Sequence, residues 1–446
     1  MRLMRILVGT VFLLALAGSA VAQEADKIFP FDYRVVELEN GFKAYLVNAG
    51  APGQIAYVSM VRTGSRDEVE EGKTGFAHFF EHMMFRGTEK YPNFDSVTAS
   101  MGAARNAFTS NDMTVYYEVA PSEYLATLVD LESDRFMNLS YAEPDFRTEA
   151  GAVLGEYQQG ARSPFRYLSE AVRTTAFDAH TYRHTTIGFE ADVRAMPEGY
   201  EYSINFHRRF YRPENVVLVL VGDFDYGEAE RLITEHYSEW ETGYQAPDIP
   251  VEPEQNRARR RTVEYPGRTL PVLSINYKGP AWSATDRTTV ALEVLGQVAF
   301  GSTSDLYNEL VVRDRKVQYL NAGFGLARDP SLVSITTMVM DPREVNTVEA
   351  RIMQTVGRFK TDLVDEQVLA DTKSNMKYDF LMGLETAQQI AFSMIGYVIN
   401  TGSIETVEDY YRTLDAVTAE DVRTAAQQWL VDSGKTTVTM VQRRGR

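Results

Sequence analysis

The sequence predicts an α+β fold in which one plan of strands and helices is used twice. Two observations predict it. Strand-like and helix-like stretches mix without the strict alternation that a doubly wound sheet requires. The order of elements in the first half then returns, in degraded form, beyond a Pro- and Arg-rich stretch. A chain of 446 residues is long enough for two such units, each with a substantial core.

Residues 33–47 read as a hairpin, because Asn40-Gly41 falls between two apolar-rich runs and is the strongest short signal for a tight turn. A third strand follows at 55–61, and 75–85 switches to helical length. Residues 122–140 and 143–162 are helical in pattern, and Val216-Val217-Leu218-Val219-Leu220-Val221 is a buried strand. Residues 244–266 read as a linker: Pro247, Pro250 and Pro253 punctuate it, and Arg257, Arg259, Arg260 and Arg261 read as solvated. Beyond it come a strand near 270–277, a helix at 284–300, a helix and strand within 304–324, a strand at 332–340, and long helices before a terminal strand at 436–441. The units so divided are 28–243 and 267–446. The helix ending at 84–88 has a counterpart at 299–303, which puts Glu293 and Gln297 where His78 and His82 stand in the first half.

Composition narrows the function. Arg2 and Arg5, an apolar run at 6–20 and the small-x-small sequence Ala20-Val21-Ala22 read as a signal peptide over 1–22. The protein is therefore expected to be exported, to the periplasm or the medium. That run is too short to span a membrane comfortably, and no later run qualifies, so no stable insertion is expected after cleavage. The formal charge of −17 argues against nucleic acid and anionic membranes as partners. With no Cys in the chain, any metal must be held by His and carboxylates.

The chemistry sits in His78-Phe79-Phe80-Glu81-His82. Imidazoles four apart on a helix share a face and can reach one ion, and a carboxylate three after the first His can face the same site. H-x-x-E-H is the inverted order of the zinc-peptidase signature. An ordinary amphipathic helix is the competing reading, but the chain has only six His, and two fall in this frame with the Glu in place. A catalytic zinc takes three protein ligands and leaves one position open. The best region for the third is 149–156, where Glu149 and Glu156 stand two helical turns apart on one face. One of them could bind the ion while the other hydrogen-bonds a histidine ligand.

The stretch 75–88, Gly-Phe-Ala-His-Phe-Phe-Glu-His-Met-Met-Phe-Arg-Gly-Thr, closely resembles the inverzincin metallopeptidases of the pitrilysin and insulinase family, in the branch of mitochondrial processing peptidase and its bacterial relatives. Residues 106–110, 149–156, 210–215 and 221–224 match as well. The resemblance covers nearly the whole chain after residue 22, strongly in the first half and weakly in the second. It implies two homologous α+β domains, each a mixed or antiparallel sheet packed against helices, facing each other across a chamber. It implies one Zn2+ per chain on His78, His82 and Glu156, with Glu149 behind a histidine ligand.

A zinc-dependent endopeptidase follows as the expected function. The metal would polarise the scissile carbonyl and lower the pKa of water, while Glu81 takes the water's proton and passes it to the departing amine. Asn106, Ala107, Phe108 and Thr109 would form an edge strand on which an extended peptide adds as another strand; an ordinary interior strand is the alternative. The family also supplies an Arg and a Tyr, seven apart, from the second domain. Here Tyr319 has Val312 seven before it, and Arg313 and Arg315 lie out of phase. The expected partner is therefore a homologous subunit that lacks the zinc motif and contributes that pair. The alternatives are a protein that works alone or as a homodimer, with Arg313 and Tyr319 adapting, and a non-catalytic zinc-binding assembly subunit. His180 and His184, also four apart, have no carboxylate in register and read as structural or surface residues.

Overall fold

Asn40 and Gly41 turn the chain between β1 (Tyr33–Glu37) and β2 (Lys43–Asn48), which pair antiparallel. Gly41 has φ 85°, a conformation glycine adopts without steric cost. The computed structural model describes residues 27–443, so the signal-peptide reading of 1–22 lies outside the described residues. β3 (Gln54–Val61), β4 (Ala104–Thr109), β5 (Thr114–Pro121) and β6 (Val216–Gly222) complete a six-stranded sheet in the order β1-β2-β6-β3-β5-β4. Only β2 and β6 run parallel within it.

The second half builds the same sheet without a counterpart of β1. Its strands are β7 (Arg259–Tyr265), β8 (Val272–Lys278), β9 (Val317–Phe324), β10 (Leu332–Val339) and β11 (Lys435–Gln442), in the order β7-β11-β8-β10-β9. β7 and β11 pair parallel, as β2 and β6 do, and the other pairs are antiparallel. The fold is α+β. Helix Arg287–Phe300 lies between β8 and β9, just as helix Phe76–Met83 lies between β3 and β4.

One difference from the sequence reading is β7, a strand inside the stretch expected to be linker. Only Val263 and Tyr265 of its seven residues are buried, because β7 is a sheet edge; on their face Arg259 and Arg261 reach Thr175 and Thr174 of helix Pro164–Ala176. Arg259 pairs with Asp178 and Arg260 with Glu349. Charged side chains on an exposed edge also block pairing with another chain.

The two halves interleave. One face of the first sheet packs on helices of its own half through Leu46, Tyr57, Leu218 and Leu220. The opposite face, with Val58, Val217 and Val219, belongs to the same apolar cluster as Met394, Ile395 and Val398 of helix Ala387–Thr401, from the second half. The exchange is mutual. Helix Pro164–Ala176 of the first half sets Leu168, Ala171 and Val172 against Val263, Val272, Val438 and Met440 of the second sheet. This explains why β6 is apolar at every position: both of its faces are covered. Arg66 and His180 of the first half both reach Asp329 of the second. Among the described residues no helix is long and apolar enough to cross a membrane.

Candidate metal centre

Helix Phe76–Met83 is anchored by its aromatic face. Phe80 stacks on Phe206 with ring centroids 5.2 Å apart, and Phe79 meets Phe146 edge-on at 5.0 Å. Tyr116 donates its hydroxyl to the Phe80 carbonyl at 3.1 Å. These contacts leave His78, Glu81 and His82 as the partly exposed stripe of the helix.

That stripe faces helix Glu143–Gly160. His78 Nε2 lies 3.5 Å from Glu156 Oε2, and His82 Nε2 lies 3.6 Å from Glu156 Oε1. Ligand atoms about 2.0–2.2 Å from a tetrahedral ion sit roughly 3.4 Å apart, close to the two His–Glu156 distances, and one ligand atom from each of the three residues lies within 4.8 Å of the others. Two imidazoles and a carboxylate are also the donor set of a catalytic zinc. His82 Nδ1 lies 3.3 Å from Glu149 Oε2, and Arg86 pairs with the other oxygen of Glu149. The hydrogen bond with Glu149 is the main reason the proton affinity of His82 rises, and with it that of Glu149 falls. Burial, with help from His82 and Arg166, pushes His78 down to about 4, which keeps its imidazole neutral and able to act as a ligand. His78 Nδ1 is buried without a hydrogen-bond partner, so only one of the two imidazoles is oriented from behind.

Glu81 sits beside this cluster and accepts the Thr109 hydroxyl at 2.7 Å. Burial raises the proton affinity of Glu81 above the ordinary carboxylate range, and the Thr109 hydrogen bond works against that rise. A cavity of about 580 Å3 opens over the group, lined by Glu81, His82, Arg86, Asn106, Glu149 and Glu156 among others. All of its lining residues come from the first half.

The residues expected to bind substrate divide. β4 is an edge strand, paired only with β5. Asn106 is exposed and lines the cavity, and its Oδ1 accepts the Ala107 N–H at 2.9 Å. Ala107 is buried, and Phe108 lies on the other side, with its ring against Phe392 of the exchanged helix. Thr109 is engaged with Glu81. Tyr319 stands on β9 with its ring near Phe165, and it is not part of the cavity wall.

The segment before Tyr319 is a π-helix over Asn308–Arg313, followed by Arg315 in a left-handed conformation with φ 50°. A π-turn holds one residue more than an α-turn, so the roughly 100° rotation that a one-residue shift makes in an α-helix does not carry over to this segment, while Val312 still stands seven before Tyr319. The Arg313 side chain is 71% exposed and pairs with Asp314. Sequence reasoning gave no role to Arg86, which lies beyond the end of helix Phe76–Met83 and reaches back to Glu149. His180 and His184 are both buried rather than superficial: His180 meets Asp329, and His184 lies 3.7 Å from Glu68.

Two family profiles match this chain. "Insulinase (Peptidase family M16)" covers residues 47–189, and "Peptidase M16 inactive domain" covers 200–376. The zinc protease PqqE of Helicobacter pylori is 27% identical over 412 residues, 90% of this chain and 91% of that protein. The mitochondrial-processing peptidase subunit beta of Bos taurus is 24% identical over 417 residues, 90% of this chain and 82% of the relative. A crystal structure of a protease from Helicobacter pylori superposes with a TM-score of 0.85 at 25% identity, covering 92% of this chain and 99% of the other. The periplasmic protease PqqL from Escherichia coli has the same fold, with a TM-score of 0.76 at 20% identity, covering 93% of this chain and 48% of that one.

Proposed function

The chain belongs to the insulinase family, peptidase family M16, and from that premise we propose that it is an exported zinc endopeptidase acting on peptides held in extended form. The observation that carries the reading is the convergence of His78 Nε2, His82 Nε2 and the Glu156 carboxylate beside Glu81, at one wall of an open cavity. His78, His82 and Glu156 would hold the ion, one per chain. Bound zinc supplies a Lewis acid that polarises a carbonyl and lowers the pKa of water.

The protein's own groups do the rest. Glu81, with its raised proton affinity, accepts a proton from water and returns it to the departing amine. Thr109 fixes the Glu81 carboxylate, and Glu149 with Arg86 fixes the His82 ring. A substrate strand would add at the open edge of β4, where it would take the Ala107 N–H from the Asn106 side chain.

The cavity wall holds no residue of the second half. Val312 stands where the family's Arg is expected, and Tyr319 is turned to Phe165. Both support an active form completed by a homologous subunit that lacks the zinc motif and brings the Arg and Tyr. The test is zinc content together with cleavage of a short unstructured peptide, by the chain alone and with candidate homologues. Stoichiometric zinc and cleavage that a partner restores are expected. Full activity from a monomeric sample would remove the partner requirement. Zinc uptake without cleavage under any pairing would leave an assembly role.

A further inference from the structure

The start of helix Phe76–Met83 has no cap of its own. Its N-cap residue is Gly75, with φ 97° and no side chain to offer. An N-cap side chain normally accepts an N–H from the first turn, and a helix without one leaves those donors unpaired. Here Glu68, seven residues upstream, fills that place with both oxygens. Oε2 accepts the Gly75 N–H at 2.8 Å and Oε1 accepts the Ala77 N–H at 2.7 Å. Glu68 is only 2% exposed.

The segment that carries Glu68 is itself tied to the end of β4. Ser65 N–H donates to Ser110 O and Arg66 N–H to Asn111 O, while buried Asp67 accepts the Gly64 N–H. β4 in turn carries Thr109, which holds Glu81. Glu68 thus connects the first turn of the metal helix to the strand that must stay in register with Glu81. Two donors gripped by one rigid carboxylate fix the rotation of the helix as well as its position.

We propose that Glu68 is a positioning residue for the metal centre, a remote cap that sets the rotation of helix Phe76–Met83 so that His78 and His82 meet Glu156. It touches neither ligand nor substrate, and the proposal rests on the reading of His78, His82 and Glu156 as zinc ligands. A lever argument gives the scale. A rotation of about 10° moves a side-chain tip about 6 Å from the helix axis by roughly 1 Å. Zinc–ligand distances tolerate only about 0.2 Å.

Glu68→Gln keeps the volume but turns an amide N–H toward one of the two backbone donors. The test compares wild type, Glu68→Gln and a stability control, Val219→Ala in the buried strand β6, by chelator-competition zinc affinity, by the visible spectrum of the Co2+-loaded protein, and by thermal melting. Glu68→Gln should bind zinc on the order of tenfold more weakly or worse, with a changed Co2+ spectrum. Val219→Ala should melt earlier with unchanged affinity and spectrum. Wild-type affinity and spectrum in a folded Glu68→Gln would overturn the proposal. So would failure of that variant to fold, because Glu68 would then serve the whole fold rather than the helix. If the wild-type protein took up no zinc, the metal reading itself would fall, a result distinct from either.

Discussion

Glu149 Oε2 lies 3.3 Å from His82 Nδ1, on the side of the ring away from Glu156. Such a carboxylate fixes the tautomer and plane of a metal-binding imidazole and raises its basicity. Glu149→Ala should therefore weaken zinc binding by about 10- to 100-fold with the fold retained. Glu149→Gln should fall between the two, since its oxygen can still accept from Nδ1. Chelator competition measures both. An Ala variant with wild-type affinity would remove Glu149 from the centre.

Glu81 lies beside the group and is not one of its three converging residues. Glu81→Gln should keep one zinc per chain and lower peptide turnover by about 10²- to 10⁴-fold, the usual contribution of a positioned general base. Metal content and turnover must be read from one sample. Wild-type turnover would end the assignment, and loss of zinc along with turnover would make Glu81 a ligand instead.

The centre was legible because its chemistry is compressed into five consecutive residues whose helical spacing dictates a shared face. The partition of Glu149 and Glu156 came from the family resemblance, because spacing alone leaves either one free to meet the ion. Helix Pro164–Ala176 shows what spacing does not contain. Its apolar stripe of Leu168, Ala171 and Val172 would look the same on either sheet, and only the tertiary fold sends it to the second. The π-helix at Asn308–Arg313 reads as α in pattern, since one extra residue in a turn leaves no compositional mark. Glu68 carries no signal in the sequence for a related reason: a cap supplied from seven residues away obeys no local rule.

Aligning the helix endings at 84–88 and 299–303 sets Glu293 opposite His78, and the structure shows Glu293 in a different setting. The carboxylate accepts the Trp282 indole N–H and the Tyr410 hydroxyl, each at 2.7 Å, and burial pushes its pKa up to about 7. A carboxyl whose folded pKa exceeds its unfolded value binds protons more tightly in the native state. Its stabilising contribution is complete below about pH 4.5 and is lost as pH rises through about 7, a swing on the order of 3 kcal/mol. Glu293→Gln should remove that component. Its oxygen can serve Trp282 while its amide donates to Tyr410. The melting temperature of wild type minus that of the variant should fall between pH 5 and pH 8. A difference that stays flat across that range would show that Glu293 does not titrate there.

Arg135 is the largest fully buried side chain among the described residues, and it is held by two carboxylates, Glu118 Oε1 at 3.0 Å and Glu132 Oε2 at 2.6 Å. Its guanidinium also lies 4.4 Å from the ring centre of Phe94 and 5.1 Å from that of Tyr116. The pull of the two Glu overcomes burial and raises the proton affinity of Arg135, so the cation stays charged in an apolar setting. Breaking a buried network by removing one partner leaves uncompensated charge and costs about 3–5 kcal/mol, whereas replacing every member with neutral groups costs far less. Arg135→Met should thus lower the unfolding free energy by about 3–5 kcal/mol in denaturant titrations. Adding Glu118→Gln and Glu132→Gln to that variant should recover much of the loss, because the stranded carboxylates are then gone. If the triple variant proved no more stable than Arg135→Met, the lost packing of the guanidinium among Phe94, Tyr116 and Phe136 would account for most of the destabilisation, and the ion network would contribute little.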